Sequence, residues 1–284
     1  MPFRALCALL LTALPLAGCS ALTVFNALTP VDPGAALARA DIAYGAQARQ
    51  RLDVYVPDGL KASAPAVVFF YGGGWDSGTK EDYAFVGRAL AAQGFVTVVA
   101  DYRLVPEVRF PAFVEDGAKA IRWTHDHIGE YGGDPRRLYL IGHSAGAYNA
   151  VMLTLDAHYL RQVGLGPNAV RATAALAGPY DFLPLDVDET IAAFGQTKNL
   201  ATTQPINFIS RSAPSMFLAT GDQDTTVYPR NTTGLAAKLR AAGADVAETI
   251  YPGMTHAGMV LALSRPFRGQ APVLADVAAF FRAH

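Results

Sequence analysis

Short apolar runs punctuate the chain from residue 52 onward. They are Leu52-Asp53-Val54-Tyr55-Val56, Ala66–Tyr71, Phe95–Ala100, Leu138–Ile141, Ala172–Ala177, Pro214–Ala219 and Val246–Tyr251. Most are apolar at consecutive rather than alternate positions, which predicts strands buried on both faces. The first belongs to a strand pair expected within residues 41–56. Stretches of helical length separate the runs: 80–93, stopped by Gly94; 113–128, after Pro111; 145–155; 231–242, ending at Gly243; and 271–283. Glycine just past a helical stretch supplies the left-handed residue that ends it. Strand and helix in alternation predict an α/β fold, a mostly parallel sheet with helices on both faces. Residues 180–213 break the rhythm, with Pro184, Pro205 and several aromatics but no clear strand. They are expected to form a small cap over the C-terminal edge of the sheet. The catalytic domain is expected over 41–284, and residues 19–40 read as a tether.

The first residues follow another pattern. Arg4 is the only charge before Asp32, and an apolar run from Ala5 leads to Pro15 and Leu16-Ala17-Gly18-Cys19. A charged start, an apolar centre and small residues at the end describe an export signal. The run from Ala5 to Ala17 is 13 residues, shorter than the roughly 20 that a membrane-spanning helix needs. Leu16-Ala17-Gly18-Cys19 resembles the lipobox of bacterial lipoproteins. The resemblance implies a signal peptide over 1–18, lipid on Cys19 and a membrane attachment through that lipid. Ser20 resembles the residue of lipoproteins sent to the outer membrane, so the expected location is the cell envelope, facing the periplasm. The chain has two cysteines. Cys7 would leave with the signal and Cys19 would carry lipid, so no disulfide or thiol nucleophile is expected.

Composition narrows the classes further. The chain has 284 residues, 51% hydrophobic and 17% charged, enough to bury a large core. With 23 basic and 24 acidic residues the net charge is −1, which offers no basic field for nucleic acid. No metal or other cofactor is expected: His125 and His127 have no third ligand nearby, and no H-E-x-x-H occurs.

The chemistry gathers at turns after strands. Gly142-His143-Ser144-Ala145-Gly146 lies between a predicted strand and a predicted helix, the setting that a G-x-S-x-G nucleophile elbow needs. Ser144 is the candidate nucleophile, and His143 beside it is expected to point elsewhere. Tyr71-Gly72-Gly73-Gly74-Trp75 follows another strand. Three glycines cost entropy to order, and make sense where backbone N–H groups must face a developing oxyanion. Of six histidines, only His256 combines the chain order Ser, acid, His with a loop between the last strand and the closing helical stretch. Asp222 and Asp224 both follow the Pro214–Ala219 strand. Asp224, two residues further into the loop, is favoured as the acid, with Asp222 shaping the turn.

These residues together resemble the α/β-hydrolase fold, within its hormone-sensitive-lipase-like carboxylesterases and kynurenine-formamidase-like hydrolases. Asp101-Tyr102-Arg103-Leu104 with Pro106-Glu107, Phe110-Pro111-Ala112 and Gly133-Asp134-Pro135 are similar to structural stretches of that family. The resemblance implies Ser144, Asp224 and His256 as the triad, and the backbone of Gly73, Gly74 and Ala145 as oxyanion donors. The family's glycine loop opens on His where this chain has Tyr71, so the bonds that brace the loop must differ. The expected activity is hydrolysis of small carboxylic esters through an acyl-enzyme, with short acyl groups and Trp75, Tyr148, Phe182 and Phe208 as pocket walls. Amide cleavage, by a formamidase or short-peptide hydrolase, is the alternative enzyme reading. A catalytically inactive envelope binding module is the alternative outside enzymes.

Overall fold

The computed structural model describes residues 21–284. The signal-peptide reading and Cys19 lie outside the described residues.

Eight strands form one sheet: β1 Ala35–Ala43, β2 Arg51–Pro57, β3 Ala64–Phe70, β4 Val96–Ala100, β5 Gly133–His143, β6 Ala172–Leu176, β7 Ser215–Gly221 and β8 Val246–Tyr251. Their order is β1-β2-β4-β3-β5-β6-β7-β8. β1 and β4 each pair antiparallel with β2, and every pairing from β4 to β8 is parallel. The apolar runs explain this layering. β4 and β6 are buried at every residue, whereas the edge strand β1 is mostly exposed. Parallel strands covered on both faces have no polar side to show water.

The main helices are α2 Ala84–Ala92, α3 Ala112–His127, α4 Ala145–Leu155, α7 Arg230–Ala241 and α9 Val273–Ala283; the shorter ones are α1 Ala21–Leu28, α5 His158–Gln162, α6 Asp188–Phe194 and α8 His256–Leu261. α2 packs on β2 and β4 and touches α9, while α3 and α4 pack together over β3 and β5. In the expected cap region, residues 180–213, α6 and two single turns are the only regular structure among the described residues. Phe194 of α6 anchors it, with ring centroids 4.8 Å from Trp75, 5.2 Å from Tyr148 and 5.2 Å from Phe182.

One expectation is corrected. Residues 21–40 are not a loose tether. The Phe25 ring of α1 packs edge-on against Phe85 at 5.4 Å. Asn26 Nδ2 donates to the Glu81 carbonyl, and its Oδ1 accepts the Phe85 N–H. The Asp32 carboxylate takes two bonds from the Arg268 guanidinium, at 2.7 and 3.0 Å. β1 begins at Ala35, six residues before the expected strand pair. The tether reading follows from small and polar residues, whereas the contacts of Phe25, Asn26 and Thr23 that hold α1 form only when Phe85, Glu81 and Asp82 are folded beside it.

Candidate active site

Ser144 stands between β5 and α4 with φ 55° and ψ −125°, a backbone conformation that costs energy for any residue with a Cβ. The turn closes only because its flanks are glycine. A Cβ on Gly142 would lie 2.2 Å from the Gly146 carbonyl oxygen, and one on Gly146 would lie 2.1 Å from that of Phe70. Ser144 N–H donates to Leu176 O at 2.9 Å, tying the elbow to β6.

The loops after β7 and β8 are laced together. Asp222 N–H donates to Tyr251 O, Gln223 N–H to Met254 O, and Gly253 N–H to Asp222 Oδ1 at 2.7 Å. Asp222 thus bridges two loops rather than shaping its own turn. Asp224 makes the local turn instead: its Oδ1 accepts from the N–H groups of Thr226 (3.0 Å) and Val227 (2.8 Å). Its Oδ2 is left to accept from His256 Nδ1 at 2.8 Å, and His256 Nε2 lies 2.8 Å from Ser144 Oγ. The carboxylate fixes the proton on Nδ1, so Nε2 accepts from the serine hydroxyl. His256 opens α8, whose N-cap Thr255 accepts from Gly258 N–H. Asp224 is almost wholly buried and His256 is partly open to the cavity.

His143 departs from expectation. It turns toward the base: its Nε2–H donates to the His256 carbonyl at 3.0 Å, and the two rings lie 4.9 Å apart. Burial, then the adjacent His256, pushes its pKa down to about 3. It is therefore a neutral donor that holds the backbone of the base.

A cavity of about 850 Å³ opens over Ser144 and His256. Gly73, Gly74 and Ala145 border it. Gly73 and Gly74 adopt φ 118° and 56°, and Ala145 is the first residue of α4, where an N–H has no acceptor within the helix. A helix N-terminus also favours negative charge. Trp75 and Phe182 line the cavity, as expected. Tyr148 and Phe208 are not among its lining. Tyr148 is wholly buried behind Trp75, its hydroxyl spent on the Thr203 carbonyl at 2.7 Å.

A family model for BD-FAE matches residues 52–239, about two thirds of the chain, including the glycine loop, the elbow and Asp224. The chain belongs to the BD-FAE family. Two curated relatives of this BD-FAE protein carry esterase names. It is 32% identical to the carboxylesterase NlhH of Mycobacterium tuberculosis, over 77% of this chain and 74% of that protein. It is 30% identical to a probable isoprenylcysteine alpha-carbonyl methylesterase of Arabidopsis thaliana, over 81% of this chain but 53% of that protein. The chain thus spans little more than half the length of that plant relative. Its fold matches esterase B of Lactobacillus rhamnosis with a TM-score of 0.79, at 19% identity, over 92% of this chain and 90% of that one. The fold is therefore the α/β-hydrolase fold.

Several cavity residues carry no sequence signal that could have found them. Leu22 comes from α1, Tyr83 from the turn before α2, Val260 and Leu261 from α8, and Glu189 from α6. Each is a single side chain on an element whose path across the cavity follows from tertiary packing alone.

Proposed function

We propose that this BD-FAE protein hydrolyses carboxylic esters through an acyl-enzyme. The observation that carries the reading is the unbroken chain from Ser144 Oγ through His256 to Asp224, with both links at 2.8 Å, opening on the cavity. Ser144 attacks the ester carbonyl while His256 Nε2 takes its proton. Asp224 favours the imidazolium that results, and the N–H groups of Gly73, Gly74 and Ala145 receive the oxyanion. Collapse of the tetrahedral intermediate returns the proton to the leaving alcohol. Water, activated by the same imidazole, then releases the acid. The esterase names of the relatives support ester over amide substrates. The aromatic walls Trp75 and Phe182 support short acyl groups. A fluorophosphonate probe should label the wild type and spare Ser144→Ala, and p-nitrophenyl butyrate should be turned over faster than the palmitate ester. An unlabelled, inactive wild type would refute the reading.

The second part of the proposal concerns placement. Cys19 carries lipid after removal of residues 1–18 and attaches the enzyme to the envelope, facing the periplasm. The Leu16-Ala17-Gly18-Cys19 pattern at the end of an apolar run supports this. Stable attachment needs more than one acyl chain, which a diacylated or triacylated cysteine supplies. Cells fed a clickable fatty acid should label the wild type and not Cys19→Ala; equal labelling would reject it.

A further inference from the structure

Tyr71 follows β3 at the start of the glycine loop, and its ring is stacked between Tyr102 (4.9 Å) and Tyr83 (5.3 Å). Its hydroxyl donates to Asp101 Oδ1 at 2.6 Å and accepts from Arg49 Nη2 at 2.9 Å. The same guanidinium donates to the carbonyls of Gly78 (2.7 Å) and Tyr102 (2.9 Å) and stands 3.7 Å from Asp101. Asp101 Oδ1 also accepts the Lys80 N–H at 2.8 Å, and Tyr102 hydroxyl donates to the Tyr71 carbonyl at 2.8 Å. The start of the loop, at Tyr71, and its end, at Gly78 and Lys80, thus hang on one pair, the buried Asp101 carboxylate and the half-buried Arg49 guanidinium. None of Arg49, Tyr71, Asp101 and Tyr102 lines the cavity, so the pair can act on the reaction only through the loop.

We propose that Asp101, through Tyr71 and Arg49, is the positioning residue that holds the Gly73 and Gly74 N–H groups where the oxyanion forms, and that the ionised carboxylate is the form that does so. The inference rests on the ester-hydrolase reading above. The groups that face Asp101 are Arg49 and Tyr44 from the segment before β2, Tyr71, Tyr102, Lys80 through its N–H, and Glu81. The Lys80 ammonium is turned away, to Asp53 at 3.1 Å and to Asp41 and Glu81. Burial raises the Asp101 pKa to about 6, against the Tyr71 bond, the Arg49 charge and the Lys80 N–H, which favour the carboxylate. Above that pH the carboxylate accepts from both ends of the loop and pairs with Arg49. Below it the ion pair is lost and the brace loosens. The stability sign is opposite. A carboxyl whose folded pKa is raised adds stability as pH falls through that value, so Asp101 disarms the enzyme without unfolding it.

The test compares wild type, Tyr71→Phe, Asp101→Asn and Ser144→Ala on p-nitrophenyl butyrate from pH 4.5 to 8, with fluorophosphonate labelling and melting curves as fold controls. Losing one oxyanion donor costs about 10²–10³ in kcat, and a loosened donor should cost less. Asp101→Asn should lower kcat about 10- to 100-fold with KM nearly unchanged. It should also make the acid limb of log kcat/KM shallower than in the wild type, because the carboxyl that titrates is gone. Tyr71→Phe should lose about 10-fold in kcat and keeps the test alive if Asp101→Asn does not fold. Affinity for a tetrahedral alkylboronate should fall in step with kcat. An active wild type whose folded variants keep kcat and the wild-type steepness of the acid limb, or change KM instead, overturns the inference alone. An inert wild type overturns the hydrolase reading and the inference with it.

Discussion

The two sides of the Ser144 cavity are built from different forces. On the glycine-loop side the holding contacts are directional. Asp101, Arg49, Tyr71 and Tyr102 join by bonds of 2.6 to 2.9 Å. On the α6 side they are mostly rings in contact: Phe194, Phe182, Trp75 and Tyr148, with centroids 4.8 to 6.4 Å apart. Polar ties there fasten the edges of the rings and the backbone beside them: Trp75 Nε1–H to Asn149 Oδ1, the Tyr148 hydroxyl to the Thr203 carbonyl, Phe182 N–H to Gln204 Oε1, and the Tyr180 and Asp181 N–H groups to Asn231 Oδ1. Directional bonds place donors to within a few tenths of an ångström, which an oxyanion demands. Ring contacts fill volume and tolerate exchange of one side chain for another. Changes on the first side should therefore alter rate, and changes on the second should alter stability and substrate size.

The triad belongs to the directional side, and the largest effect lies there. Ser144→Ala should lower kcat by about 10⁴–10⁶ in a protein that still melts cooperatively; a folded, fully active variant would remove Ser144 from the mechanism. Asp224→Asn comes next, at about 10³–10⁴, because the amide favours the wrong tautomer of His256. Asp222→Asn keeps an oxygen for the Gly253 N–H and should cost less than about tenfold. Reversed sizes for the two aspartates would show that the loop bridge, not the Nδ1 contact, is what the chemistry needs.

This division also explains what could be read from the chain alone. The elbow, the glycine loop and the two loops bearing Asp224 and His256 were legible because each is a local signal beside a strand. The sheet was legible for the same reason: a strand buried on both faces announces itself in five or six consecutive residues. The Asp101 brace was not, because Arg49, Tyr71 and Asp101 are far apart in sequence and meet only when β2, β4 and β3 lie side by side. The turn of His143 toward the base was hidden too, since an elbow dictates its backbone and not the side chain beside the serine. Among the walls, Trp75 and Phe182 were placed correctly and Tyr148 and Phe208 were not. Aromatic character does not say whether a ring faces a cavity or supports one that does.

The ring-built side makes its own prediction. Phe194 is fully buried and packs against five other rings, those of Trp75, Phe110, Phe113, Tyr148 and Phe182. Phe194→Ala should cost about 3–5 kcal/mol of stability, the usual range for deleting a buried phenylalanine. Measured by urea denaturation, a cost under about 1 kcal/mol would show that α6 closes over the gap and that the rings are not what holds it. The fraction that remains folded should still react with a fluorophosphonate at the wild-type rate, because the Ser144–His256–Asp224 contacts do not pass through Phe194.

A change of substrate preference with no change of rate on the smallest ester is expected at Leu22, where α1 reaches the cavity. Leu22 is half-buried and faces the same space as Tyr83, Val260 and Leu261. A hydrophobic pocket discriminates by roughly tenfold or more per methylene, and a half-buried wall at the rim should give the low end of that. Leu22→Ala should lengthen the preferred acyl chain, raising the ratio of kcat/KM for octanoate over butyrate by about tenfold. Leu22→Trp should lower the ratio by a similar factor. Neither should change kcat for the acetate ester, since a two-carbon acyl group does not reach the rim. A chain truncated to begin at Thr29 removes α1 altogether. It should show the Leu22→Ala preference and melt at a lower temperature, because Phe85 and Phe267 lose the Phe25 ring. If the truncated chain keeps both the melting temperature and the chain-length profile of the full chain, α1 is not a wall of this cavity and the tether reading of residues 21–28 stands.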